Sequence, residues 1–117
     1  MTTNAETVQT AIAAHGMWKA RLREAIESGQ SSHSVATVRR NDACEFGMWL
    51  AKAGDDPRLA DVRRLHTEFH QEAAGVLELA LSGKRDDAER AIGLGGAYGR
   101  TSSALVMALK SWERAAA

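Results

Sequence analysis

The segment from Pro57 to Leu81 has an apolar residue at every third or fourth position, the spacing of one face of an α-helix. Two histidines, His66 and His70, lie within this apolar stripe. Because they are four residues apart, both imidazoles point to the same side on successive turns and can reach one ion. Paired histidines on a helix are often only exposed polar residues, but unpartnered imidazoles inside an apolar stripe are costly to desolvate. The pair is therefore a candidate half of a metal site.

Three further segments show helical periodicity, and together the four segments predict an all-α fold. The expected helices run over Asn4–Glu27, Asn41–Ala53, Pro57–Leu81 and Arg85–Ala115. The composition agrees, because the chain contains one proline, few β-branched residues and many good helix formers. A length of 117 residues suits a single domain over residues 1–117. We expect an antiparallel four-helix bundle with one short helix and a metal site in its core.

The expected fourth helix has an unusual middle, because four glycines lie between Gly93 and Gly99. Each glycine in a helix interior costs roughly 1 kcal/mol relative to alanine. The stretch is not a phosphate-binding loop, since the lysine and the serine or threonine that end that motif are missing. It predicts a kink, or a place where another helix approaches closely.

Two other expected helices each direct one ligand-type side chain towards the core. His15 lies on the apolar stripe of the first helix, and Cys44 lies on one face of the second. Taken singly, a buried cysteine is usually a small hydrophobe, and a histidine on an apolar stripe is usually a satisfied core residue. Together with His66 and His70, however, they supply three imidazoles and one thiolate, a complete tetrahedral set for zinc. We predict one zinc ion per chain in the bundle core, bound by these four residues.

Other metal and catalytic chemistries fit this pattern less well. The metalloprotease motif needs glutamate directly after the first histidine, where this chain has Thr67, and Glu68 points elsewhere. A di-iron bundle needs glutamate three residues before histidine, where the chain has Arg63 and Thr67. A cysteine–histidine hydrolase is chemically conceivable, but a filled zinc site leaves no nucleophile and no open position for water. We therefore expect no enzymatic activity.

The surroundings of such a site can be predicted only in part. Zinc with one thiolate and neutral imidazoles carries a net charge of +1, which calls for a nearby carboxylate. The nearest acidic residues in sequence are Asp42, Glu45, Glu68 and Glu72. Each of them is also typical of a solvated surface, so none is singled out. We expect Trp18 and Trp49 to pack around the site and control solvent access, and we expect His33, in the polar loop 28–34, to be solvated.

Charge and hydropathy exclude several classes of partner. Fifteen basic and fifteen acidic residues give a formal net charge of zero, so no positive surplus is present to bind nucleic acid. No apolar run approaches the roughly 18 residues that span a bilayer, and the first residues lack the features of a signal peptide. The single cysteine cannot form a disulfide within the chain. These features predict a soluble protein in the reducing cytoplasm, without membrane insertion.

Three motifs, in this order, resemble the chemoreceptor zinc-binding domain, or CZB domain. They are His15-x-x-Trp18, the block Cys44-Glu45-Phe46-Gly47-Met48-Trp49-Leu50, and His66-x-x-x-His70. The resemblance covers almost the whole chain, and its central block is quite specific. It implies that His15, Cys44, His66 and His70 are zinc ligands in a helical bundle that is frequently dimeric.

The resemblance also implies a sensory or regulatory function in bacterial cytoplasmic signalling. Members of this family are attached to chemoreceptor signalling regions or diguanylate cyclase domains, and are associated with sensing zinc or oxidants such as hypochlorous acid. This chain carries neither type of output region, so we expect it to be an excised domain or to signal to a separate output protein. Oxidation of a zinc-bound Cys44 thiolate would weaken one of four ligands and loosen the helix packing. Plain zinc sensing, and a structural zinc in a dimerisation module, are the alternatives.

Overall fold

The computed structural model describes residues 4–40, 44–53 and 56–116, and they form helices joined by short turns. The helices are α1 (Asn4–Ser28), α2 (Val35–Arg39), α3 (Glu45–Lys52), α4 (Ala60–Leu81), α5 (Arg85–Ile92) and α6 (Ala97–Ala116). A 3-10 turn, Pro57–Leu59, leads into α4. These three ranges contain no strand, and the predicted all-α bundle is confirmed. None of the helices in them is long and apolar enough to cross a membrane.

The central element is α4, which packs against α1, α2, α5 and α6. Its inward face carries the apolar stripe predicted from the periodicity, and both histidines of the stripe are buried. Next to the start of α4, the Arg58 guanidinium donates to the Ala115 carbonyl at 3.3 Å. Further along, the Phe69 ring lies 5.3 Å from the Tyr98 ring, near the start of α6. The order of these two contacts shows that α6 runs antiparallel to α4.

The short helix α3 differs from its prediction at its start. Cys44 is not inside the helix but is its N-cap, with extended backbone. The predicted start at Asn41 and the following Asp42 lie outside the described residues, as do residues 54–55 of the predicted turn. Within α3, Phe46 and Leu50 are buried, whereas Met48 is 48% exposed.

Helix α2 was not predicted, because five residues are too few to show helical periodicity. Its start is fixed by Ser34, whose side-chain oxygen accepts the Thr37 N–H at 3.1 Å. The helix buries Val38 against the bundle, where α2 covers part of α4. This placement brings the backbone of α2 next to the histidines of α4.

The predicted single fourth helix is interrupted at its glycines, as the kink prediction required. Helix α5 ends at Ile92 and α6 begins at Ala97. A Cβ on Gly96 would collide with the Arg90 carbonyl, and one on Gly99 would collide with the Gly93 carbonyl. The predicted close approach is therefore present, and it is between the backbone at the end of α5 and the backbone at the start of α6.

Candidate metal centre

His66 and His70 form the base of the candidate site, on the buried face of α4. They are 1% and 5% exposed, and their Nε2 atoms lie 3.1 Å apart. The spacing of four residues stacks them on successive helical turns, as predicted. The other buried residues of α4 are all apolar, so both rings lie in the packed core rather than on the surface.

Backbone carbonyls fix which nitrogen of His70 and of His15 carries the proton. The Nδ1–H group of His70 donates to the Val38 carbonyl at 2.8 Å, and that of His15 donates to the Ala11 carbonyl at 2.6 Å. Because a carbonyl oxygen only accepts, Nδ1 must be the protonated nitrogen in both rings. In the neutral imidazole, Nε2 then keeps its lone pair and is available as a metal ligand.

Cys44, the residue directly before α3, directs its sulfur into the site. Its Sγ lies 3.3 Å from Nε2 of His66 and 3.5 Å from Nε2 of His70. The sulfur also accepts the Gly47 N–H at 3.2 Å, which makes Cys44 the side-chain cap of the helix. A backbone donor at a helix N-terminus is a favourable partner for negative charge on sulfur. This capping contact holds the sulfur in place, pointing at the two imidazoles.

His15 reaches the same point from α1 and is 5% exposed. The ligand atoms of His15, His66 and His70 all lie within 4.8 Å of one another. The His15 ring meets the Phe69 ring edge to face, with centroids 4.6 Å apart. All four predicted ligands are therefore brought together, from α1, the start of α3, and α4.

The distances between the ligand atoms suit a tetrahedral zinc ion. Bond lengths of 2.0–2.1 Å for nitrogen and 2.3 Å for sulfur give tetrahedral edges of about 3.3 Å between two nitrogens and about 3.6 Å between nitrogen and sulfur. The edges among His66, His70 and Cys44 are 3.1, 3.3 and 3.5 Å. The donor set of three imidazoles and a thiol fits zinc in its chemistry, and the three edges among His66, His70 and Cys44 fit it in spacing.

Burial keeps the three imidazoles in the neutral form that binds metal. The pKa of His66 is lowered to about 3, mainly by burial and further by the neighbouring His70 and His15. The pKa of His15 is lowered by burial, against the opposing effect of its hydrogen bond to Ala11. Burial also lowers the pKa of His70, although the bond to Val38 opposes it. Near pH 7 protons therefore compete little for the Nε2 lone pairs of the three imidazoles.

Aromatic rings surround the histidines on two sides. The Phe46 ring meets the His66 ring edge to face at 5.1 Å, and the Phe69 ring meets the His15 ring edge to face at 4.6 Å. A groove of about 560 Å³ between α1 and α3 leads from the surface to His15, Cys44 and His70. The predicted flanking residues, Trp18 and Trp49, both line this groove. The site is thus walled by aromatic rings but open on its cysteine side.

Other residues named from the sequence lie in different places. His33 is only partly exposed to solvent, because its ring lies 4.9 Å from that of Trp18. Among the candidate carboxylates, Glu45 is exposed and lines the groove, and Glu68 pairs with Arg64 at 3.3 Å. Glu72 lines a separate surface pocket, and Asp42 lies outside the described residues.

The contacts that orient two of the ligands were missed by the sequence analysis. They come from the backbone carbonyls of Ala11 and Val38, not from a carboxylate side chain. Ala11 is one helical turn before His15, so the first contact follows from α-helix geometry once His15 is placed on α1. The contact of Val38 with His70 spans 32 positions in the chain and depends on a helix too short to recognise.

Comparison with protein-family models gives a match that includes all four candidate ligands. The family model described as chemoreceptor zinc-binding domain matches residues 15–77, a stretch that begins at His15 and includes Cys44, His66 and His70. No curated protein and no solved structure gives a significant match to the chain.

Proposed function

Because the chain belongs to the chemoreceptor zinc-binding domain family, we propose that it binds one zinc ion per chain and acts as a sensory or regulatory domain in bacterial signalling. The proposed ligands are Nε2 of His15, His66 and His70 and Sγ of Cys44. The observation that carries the proposal is the convergence of the His66, His70 and Cys44 donor atoms at 3.1–3.5 Å. Nitrogen and sulfur atoms at these separations match the edges of a zinc tetrahedron.

The proposed ligands come from parts of the chain that are distant in sequence. His15 lies on α1, Cys44 precedes α3, and the other two lie on α4. When bound, zinc would hold the Cys44 sulfur as a thiolate and link these three parts. Loss of one ligand would therefore loosen the contact of α1 and α3 with α4, which is the change that an output partner would detect.

Cys44 is the residue through which an oxidant signal would enter. It is half-buried and lines the groove, whereas the three histidines are buried. With hypochlorous acid, the thiolate attacks chlorine and hydroxide leaves; water then replaces chloride at sulfur and releases a proton, giving sulfenic acid. The sulfur loses two electrons and the chlorine gains them. The sulfenic acid is a weaker ligand, and its reduction requires a thiol from another molecule, since the chain has a single cysteine.

The cellular setting is part of the same proposal. We place the protein in the cytoplasm, as a homodimer that signals to a chemoreceptor-type or diguanylate-cyclase-type output protein or domain. We assign it no catalytic activity, because four protein ligands leave no coordination position for a substrate or water.

The second candidate is a structural zinc in a helical dimerisation module, and the burial of the three histidines favours it. The two functions differ in their response to oxidant. Zinc-loaded protein is treated with hypochlorous acid, and released zinc is followed with a chromogenic chelator. If the domain is an oxidant sensor, the wild-type protein releases zinc on treatment with hypochlorous acid. If the zinc is structural, the protein retains it.

The zinc site itself is tested by elemental analysis of the purified chain. The wild type is compared with Cys44→Ala and His70→Ala, and His33→Ala is the matched control, because His33 lies outside the candidate site. The proposal predicts one zinc per chain in the wild type and in the control, and reduced zinc in the other two variants. Equal zinc content in all four proteins would refute it.

A further inference from the structure

The groove over Cys44 has two tryptophans in its walls; both pack in part against the core, but their further ring contacts differ. On the α3 side, the Trp49 ring stacks on Phe46 at 5.7 Å and meets Trp112 at 5.3 Å. Phe46 and Trp112 are both buried core residues. Trp49 is therefore a fixed wall, because moving its ring would disturb the packing of the bundle.

The α1 side of the groove carries Trp18, which packs in part against the hydrophobic core and has two further ring contacts outside it. The Arg21 guanidinium lies over the Trp18 ring, 5.0 Å from its centroid, and the His33 ring lies 4.9 Å away at an angle of 59°. Arg21 is exposed, and His33 belongs to the loop between α1 and α2. Cation–π contacts at exposed positions are weak. The contacts of Trp18 with Arg21 and His33 can thus break without disturbing the core.

Trp18 is also placed to control access to the metal ligands. It lies one helical turn after His15 on α1, and both residues line the groove together with Cys44. The groove has the volume of a small-molecule site, about 560 Å³. A rotation of the Trp18 ring away from α3 would therefore widen the path that leads to the sulfur.

We propose that Trp18 is a gate that narrows this groove, its ring held in place by Arg21 and His33, and that it sets how fast electrophiles and oxidants of different size reach Cys44. The biological role of the gate rests on the proposed function, since the gate would determine which reagents the sensor detects. Its physical action does not require zinc and can be measured on the metal-free chain.

The test is the rate at which Cys44 is alkylated in the full chain without zinc. Two reagents of different size are used, iodoacetamide and N-phenylmaleimide. With the first, a carbon–sulfur bond forms and iodide leaves; with the second, sulfur adds to the double bond and the neighbouring carbon takes a proton from water. The variants are Trp18→Ala and His33→Ala, with Met17→Ala as the control. Met17 is the adjacent residue, is 57% exposed and does not line the groove.

The gate predicts that Trp18→Ala raises the N-phenylmaleimide rate by roughly tenfold and the iodoacetamide rate by clearly less. His33→Ala should raise the same rates in the same order but by less, because the ring loses one of its two holding contacts. Met17→Ala should leave both rates unchanged. General loosening of the fold, in contrast, would speed both reagents equally.

The proposal is overturned if His33→Ala leaves both rates at the wild-type value, or if Trp18→Ala accelerates both reagents by the same factor. His33→Ala decides the question even if Trp18→Ala does not fold, since His33 lies in a loop. In a further experiment, zinc is added to each variant before alkylation. Protection of Cys44 by zinc in every variant supports the proposed function, and its absence contradicts the zinc site without affecting the comparison of metal-free rates.

Discussion

The two sides of the candidate site differ in how firmly they are held. His66 and His70 lie in the middle of the 22-residue helix α4 and are 1% and 5% exposed. Cys44 lies one residue before the 8-residue helix α3, is half-buried and faces the groove. The histidines are fixed by a continuous helix and by the core, whereas the sulfur is fixed by its cap contact with Gly47 and by its contacts with the imidazoles.

This difference separates structural support from chemical access within one small site. Ligands on a well-packed helix keep their geometry whether or not metal is bound, which favours binding. A sulfur at the end of a short helix, next to an open groove, can be reached and changed by a small reagent. The comparison implies that substitutions on the α4 side mainly affect stability and affinity, whereas those on the cysteine side mainly affect reactivity.

The largest effect is expected for Phe69→Ala on the α4 side. Phe69 is 1% exposed and packs between His15 and Tyr98, so its removal leaves a cavity. We expect the free energy of unfolding to fall by about 3–5 kcal/mol, measured by urea denaturation of the metal-free chain. Met48→Ala, on the exposed face of α3, should change it by less than about 0.5 kcal/mol. Similar losses in the two variants would remove the contrast between the two sides.

Zinc itself should have the next largest effect. At a free concentration about one hundred times the dissociation constant, a ligand bound only by the folded state stabilises it by about 2.7 kcal/mol. We expect a gain of this size in urea denaturation of the wild type, its loss in His70→Ala, and a smaller gain in Cys44→Ala. An unchanged gain in His70→Ala would show that α4 does not provide the base of the site.

A smaller loss is expected for His70→Ala in the absence of zinc. The substitution removes the donor to the Val38 carbonyl and leaves a buried acceptor without that partner. We expect a loss of about 1–3 kcal/mol in the free energy of unfolding. Gln71→Ala, at the exposed neighbouring position of the same helix, is the control and should be close to the wild type. If the control lost as much, the effect would belong to the helix and not to the hydrogen bond.

The smallest effect is expected for Cys44 without zinc. Cys44→Ala removes the acceptor of the Gly47 N–H and should cost about 1 kcal/mol, the usual value of a side-chain cap. Cys44→Ser should recover most of this stability, since serine is a good cap, but should not restore thiol reactivity. Thermal melts of the two metal-free variants measure the difference, and equal melting temperatures would argue against the capping role.

The ease of prediction from sequence also differs between these two sides. His66 and His70 could be placed because a long helix repeats its pattern over many residues, and the pattern fixes the direction of each side chain. Cys44 could be identified as a candidate ligand, but its position as N-cap could not, because cysteine is not among the usual capping residues.

Long-range backbone contacts could not be predicted from the sequence pattern. The Val38 carbonyl leaves no side-chain signal, and α2 is too short to be periodic. The glycines from Gly93 to Gly99 indicated an interruption but not which segments meet there. The close approach depends on where the α5 carbonyls point, and this follows from the packing of α5 and α6 rather than from residue type.

The central claim is that one zinc ion is bound by both sides of the site at once. Zinc K-edge X-ray absorption of the zinc-loaded chain measures the identity and distance of the ligands directly. The account predicts three nitrogen ligands at about 2.0–2.1 Å and one sulfur ligand at about 2.3 Å. A spectrum that requires only nitrogen and oxygen ligands, without sulfur, would contradict it.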